Sequence, residues 1–99
     1  MINTRLYLMQ LDEKERQWEA KVAFMFIRQN VLFFSYKEIY KQCIFLLRFR
    51  DVNKFIIFLQ EYNKEDLILF CDLLEKYVNS LFFKILRKDI IELIEKDNF

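Results

Sequence analysis

Apolar residues recur along this 99-residue chain at three- and four-residue intervals rather than in alternation, and the helix starts are marked by capping chemistry. Asp12 followed by Glu15 opens a segment to about Gln29 in which Trp18, Val22, Met25 and Phe26 hold helical spacing. Ser35 followed by Glu38 is the strongest capping box in the chain. It predicts a helix from Tyr36 to about Phe49 with Ile39, Tyr40, Cys43, Ile44 and Leu47 on one stripe. Asp51 can cap a short helix through Val52, Phe55, Ile56 and Leu59, and Asn63 with Asp66 can start the next.

That next segment keeps helical phase through Leu67, Phe70, Leu73 or Leu74, Tyr77, Val78, Leu81, Ile85 and Leu86. Asn79 and Ser80 offer a break in it, and Asp89 followed by Glu92 either begins a last helix or lies inside a continuous one. Two stretches stay open. Ile2 to Leu11 fits strand and helix equally; if it joins the first helix, Leu8, Leu11, Trp18 and Val22 align, with Glu15 dissenting. Val31 to Phe34 has the composition of a strand, yet a lone strand has nothing to pair with.

The expected fold is therefore all-α, a compact irregular bundle of four to six helices with short connections, in one domain spanning residues 1–99. No repeat period or linker divides the chain. Heptads are not sustained over three or four repeats, so a globule is expected and not a rod. A chain of 12.4 kDa should expose roughly 6,100 Å² when folded.

Composition narrows the chemistry. There is no Gly, no Pro and no His. Without His the commonest acid/base and metal-binding side chain is missing, and without Gly no phosphate-cradling loop is available. Ser35 and Ser80 have no histidine base, and Cys43 and Cys71 sit among apolar neighbours as free, buried thiols of a reducing compartment. Glu92 with Glu95, and Glu61 with Glu65 if one helix runs through both, are the only carboxylate pairs to weigh for a cation, and neighbouring lysines make them solvated faces instead. No enzyme activity, metal or cofactor is expected.

The net charge is +1, with both signs interleaved. The longest stretch free of charge, Gln29 to Tyr36, has eight residues where a membrane span needs about 18. With no recognisable signal segment, an intracellular, cytoplasmic protein is expected. Phe, Ile, Asn, Lys and Tyr dominate while Gly, Ala, Arg and Pro are scarce, a bias expected of a low-GC genome such as that of a virus or phage.

What remains is a surplus of bulky apolar residues. Leu67 to Cys71 are consecutive and circle a helix completely; Ile57 and Phe58 oppose the stripe of Phe55, Ile56 and Leu59; Phe82 and Phe83 compete with Tyr77 and Ile85. Either the bundle wraps its central helix completely, or an outer patch meets a partner. The second reading predicts a non-catalytic protein-interaction protein, either a homodimer or part of a complex with another protein. Its expected interface is Arg48, Phe49, Arg50, Phe58, Phe82 and Phe83. The alternative is a regulator that contacts nucleic acid through Arg48, Arg50 and Lys54 and through Lys84, Arg87 and Lys88.

Overall fold

Cap by cap, the described residues divide into six α-helices and one 3-10 helix. The computed structural model describes residues 3–96, so Ile2, where the first open stretch begins, and Asp97, the last residue of the segment in which one, two or three helices were possible, lie outside the described residues. The helices are α1 (Thr4–Gln10), α2 (Glu13–Gln29), α3 (Lys37–Phe49), α4 (Val52–Leu59), α5 (Lys64–Tyr77) and α6 (Leu81–Glu95), with the 3-10 helix at Val31–Tyr36. No strand occurs among the described residues. The Cα radius of gyration, 12.6 Å, matches the roughly 12.6 Å that size scaling gives for a compact domain of this length. The accessible surface is 6567 Å², slightly above the scaling value.

Short-range side-chain oxygens set most helix starts. Asp12 accepts from the Glu15 amide at 2.7 Å while Glu15 accepts from the Asp12 amide, a complete capping box. Asp51 accepts from Lys54 N–H at 3.1 Å and Asn63 from Asp66 N–H at 2.8 Å. The opening stretch is helical, with Asn3 capping α1 through the Leu6 amide. A long-range bond completes that cap: the Asp89 carboxylate, inside α6, accepts from Thr4 N–H at 2.6 Å. Asp89 therefore begins no helix. Its charge sits instead at the positive end of α1. At the other end of α1, the buried Arg16 donates to the Leu11 carbonyl at 2.9 Å.

The Ser35 box does not form. Ser35 lies inside the 3-10 helix, and the N-cap position of α3 is Tyr36, with no side-chain bond. The physical reason is continuity. The 3-10 turns run directly into α3, where the Lys37 amide already bonds the Phe34 carbonyl, so the first amides need no cap. The tight coil also swings Phe33 fully inward against Phe26, Tyr40 and Phe70, with ring centroids 5.7, 5.2 and 6.2 Å apart. Val31 to Phe34 is thus neither strand nor cap.

The core is shared by all six helices, with α2 on α3 and α5 on α6 as the most extensive pairings. Tyr40, Phe70, Phe82, Leu46, Leu67 and Ile90 are among its fully buried members. On α2 the four apolar residues that hold helical spacing divide, with Phe26 alone packed against the core. The buried residues of α2 are Arg16, Ala20 and Ala23, whereas Trp18, Val22 and Met25 face solvent. The chain's only two alanines are both buried on α2, the helix whose most extensive pairing is with α3. Large side chains there would hold the helix axes apart. The wrapped-helix alternative fails as well, because α5 buries Leu67, Phe70, Cys71 and Leu74 but leaves Ile68 and Leu69 exposed.

One backbone position carries strain. Arg50, at the C-cap of α3, has φ 59° and donates its amide to the Leu46 carbonyl at 2.7 Å. Glycine normally takes that left-handed position, and this chain has none. An L-residue there costs roughly 1–2 kcal/mol, partly offset by the extra freedom glycine has when unfolded. Arg50→Gly should raise the unfolding free energy by about 0.5–1 kcal/mol, read as a higher urea midpoint at unchanged slope.

Candidate functional site

The residues expected at an interface separate into two groups. Arg48, Phe49 and Arg50 are exposed at the end of α3, as anticipated, and Phe58 is half-buried on α4. Phe82 and Phe83 are not surface residues. They are nearly or fully buried, and Phe83 stacks on Tyr40 at 5.2 Å while Phe82 approaches Tyr7 of α1 at 6.4 Å. Both fit inside because α6 packs on α1 and on α5, while Tyr40 of α3 meets Phe83. Leu81 turns outward in their place.

At the junction of α3 and α4 the structure gathers a cation–aromatic corner. The Phe45 and Phe49 rings lie 4.8 Å apart, Arg48 sits 5.4 Å over Phe49 and the Lys54 ammonium 5.0 Å over Phe45. Lys54 is thereby joined to Arg48, as the basic-group reading supposed. Phe45 was missed, although its spacing of four from Phe49 on a helix would have placed the two rings together.

The second basic group is less free. Arg87 donates its Nε to the Cys71 carbonyl at 3.2 Å and pairs through Nη2 with Glu75 at 2.9 Å. Only Lys84 and Lys88 of that group are exposed, beside an open hollow of about 530 Å³ lined also by Leu74 and Phe83. A smaller cleft of about 260 Å³ opens where α1, α4 and α6 meet. Its walls include Phe55, Leu59, Leu86 and Ile90, with Arg5 and Lys96 among its charged residues. Arg5 reaches Asn53 on α4 at 3.2 Å, linking α1 to α4.

Among the described residues no group of three or more His, Cys, Asp or Glu is placed to hold a metal ion. Glu61 and Glu65 do not share a helix, since α4 ends at Leu59 and α5 begins at Lys64. Cys43 and Cys71 are both buried free thiols. Burial, with Cys71 nearby, pushes the Cys43 thiol well above its ordinary range. Burial pushes Cys71 up to about 12, with Arg87 pulling the other way. Native protein at pH 8 should therefore react with a thiol reagent only as fast as it opens, and release both thiols promptly in urea. The linkage sign follows: above roughly pH 8.5 the unfolded chain loses thiol protons that the native state keeps, so stability falls as pH rises.

A run of exposed apolar residues lies on α2 and the turn after it. Trp18, Val22 and Met25, at i, i+4 and i+7, keep 66, 45 and 51% of their surface exposed. In the 3-10 helix Val31 keeps 83% and Phe34 74%. Sequence periodicity picked out the α2 spacing without saying which face is buried; the alanines at positions 20 and 23 mark the buried side. No helix among the described residues is long and apolar enough to cross a membrane. No protein-family model matches the chain, and neither a curated protein nor a solved structure matches it.

Proposed function

We propose that this is a non-catalytic helical interaction protein that acts by occupying a surface, either on a second copy of itself or on another protein, as an inhibitor or small subunit does. One observation supports the reading above the rest. Among the described residues fifteen large apolar side chains stay exposed after the core is filled, including Trp18, Phe34 and Phe49. Aromatic residues beside arginines are the side chains that most often anchor protein interfaces, and the Arg48–Phe49–Arg50 corner has that composition at the end of α3.

The test combines light scattering with capture of partners by the immobilised protein. The wild type should self-associate or retain a defined protein, and the Phe49→Ser and Arg48→Glu/Arg50→Glu variants, which touch only exposed positions, should weaken capture at unchanged helicity. A strictly monomeric wild type that retains no protein from its source would overturn the reading. The cation–aromatic corner of Phe45, Phe49, Arg48 and Lys54 favours a second reading, contact with single-stranded nucleic acid. That reading requires a gel shift at low salt that Arg48→Glu/Arg50→Glu abolishes.

A further inference from the structure

We propose that the 3-10 turn between α2 and α3 is a membrane-docking tip, which seats Val31 and Phe34 in the interface of an anionic lipid bilayer. This goes beyond the interaction reading above and leaves the Arg48–Phe49–Arg50 corner out of the contact.

A 3-10 helix has three residues per turn, so side chains three apart eclipse one another and the coil presents three rows. Phe33 and Tyr36 form the inward row, both against Phe70 of α5, at 6.2 and 5.8 Å. Val31 and Phe34 form an outward row, and they are the two most exposed large apolar side chains among the described residues. Leu32 and Ser35 make the third row, also exposed. The fully buried Phe33 therefore holds the outward pair in place from behind.

The turn also satisfies backbone amides locally. Leu32 N–H donates to Asn30 Oδ1 at 3.1 Å, Phe33 N–H to the Asn30 carbonyl at 3.3 Å, and Lys37 N–H to the Phe34 carbonyl. Amides already paired in this way can approach hydrocarbon without giving up bonds to water.

Charge selects the occupant. From Ala20 to Lys37 the sequence has no Asp or Glu, the longest such run in the chain, and the exposed Arg28 and Lys37 bracket the uncharged stretch Gln29 to Tyr36. The next acid, Glu38, is paired with Lys41 at 3.6 Å. An apolar tip collared by cations complements a surface that is hydrocarbon within and anionic at its headgroups. Between Val31 and Ser35 the only side-chain hydrogen-bonding group is the Ser35 hydroxyl, whereas a protein interface carries about one hydrogen bond per 100–200 Å². Hydrocarbon requires none.

Flotation of the full chain with lipid vesicles tests the proposal. Phosphatidylcholine vesicles containing about 40 mol% phosphatidylglycerol should carry the protein at low salt. Lipid is titrated to roughly 5 mM, because so small a tip should partition no more strongly than one myristoyl chain, about 10⁴ M⁻¹. Phosphatidylcholine alone, or about 0.5 M salt, should weaken binding at least roughly tenfold. Val31→Ser/Phe34→Ser and, separately, Arg28→Glu/Lys37→Glu should each weaken it at least roughly tenfold with unaltered circular dichroism, since all four positions are exposed. Phe34→Trp in a Trp18→Phe background moves the chain's single tryptophan to the tip, and its emission should shift to the blue on anionic vesicles.

Protein that stays in the buffer at every lipid concentration overturns the proposal. So does vesicle binding that Val31→Ser/Phe34→Ser leaves intact, a tip tryptophan whose emission does not move, or a loss in that variant of a captured protein instead of lipid. The interaction reading is decided separately, because its own variants, Phe49→Ser and Arg48→Glu/Arg50→Glu, leave the tip unchanged.

Discussion

Phe33→Ala is expected to remove about 3–5 kcal/mol of stability, the usual cost of deleting a fully buried aromatic ring. Phe33 is entirely enclosed, and its ring meets Phe26, Tyr40 and Phe70, joining α2, α3 and α5 through the 3-10 turn. Collapse of the surroundings cannot close the hole, because each neighbouring ring is held by its own helix. For a domain of this size the loss should lower Tm by more than about 12 °C, at about 4–8 °C per kcal/mol, and take a large share of a total that is typically 5–15 kcal/mol. Thermal unfolding followed by circular dichroism measures it. A fall of only a few degrees would mean that the 3-10 turn does not carry Phe33 into the core.

Phe83→Ser should be comparably damaging. The sequence pattern suggests a different result, a change of association with helicity intact, since Phe82 and Phe83 cannot both share the stripe of Tyr77 and Ile85. In the fold Phe83 stacks on Tyr40 and packs edge-on against Phe82 at 5.0 Å. Serine there leaves a cavity and buries a hydroxyl, so a loss of at least about 3–5 kcal/mol follows. The contrast with Trp18→Ser is diagnostic. That exposed substitution should change stability by no more than about 0.5 kcal/mol. Urea titrations of the two variants side by side check the assignment, and equal midpoints would contradict it.

The sequence made most helix boundaries legible because a cap is a contact between residues two or three apart. Asp12 with Glu15, Asp51, and Asn63 with Asp66 were read from spacing and form the bonds expected of them. The break at Asn79 and Ser80 is also real, with α5 ending at Tyr77 and α6 starting at Leu81. Ser35 misled for an equally local reason: a capping hydroxyl is dispensable where a preceding 3-10 turn already bonds the first amides. Of the expected interface, the exposed corner of Arg48, Phe49 and Arg50 stands where a helix end was foreseen. Phe82 and Phe83 went inside because α1, folded back from far away in sequence, covers their side of α6.

Helix content and most helix starts were thus determined by the sequence alone, through periodicity and near-neighbour hydrogen bonds, which act before any tertiary contact exists. Which face of each helix is buried was decided only by packing. On α2 the three-four spacing groups Trp18, Val22, Met25 and Phe26, yet the helix buries Ala20 and Ala23, brings Phe26 half-way in against Phe33 and Tyr40, and leaves the other three exposed. The Asp89 bond to the start of α1 is of the same kind, joining residues 85 positions apart. Burial is a competition among faces for a limited interior, and its outcome depends on the shape of the partner surface, which no single helix encodes.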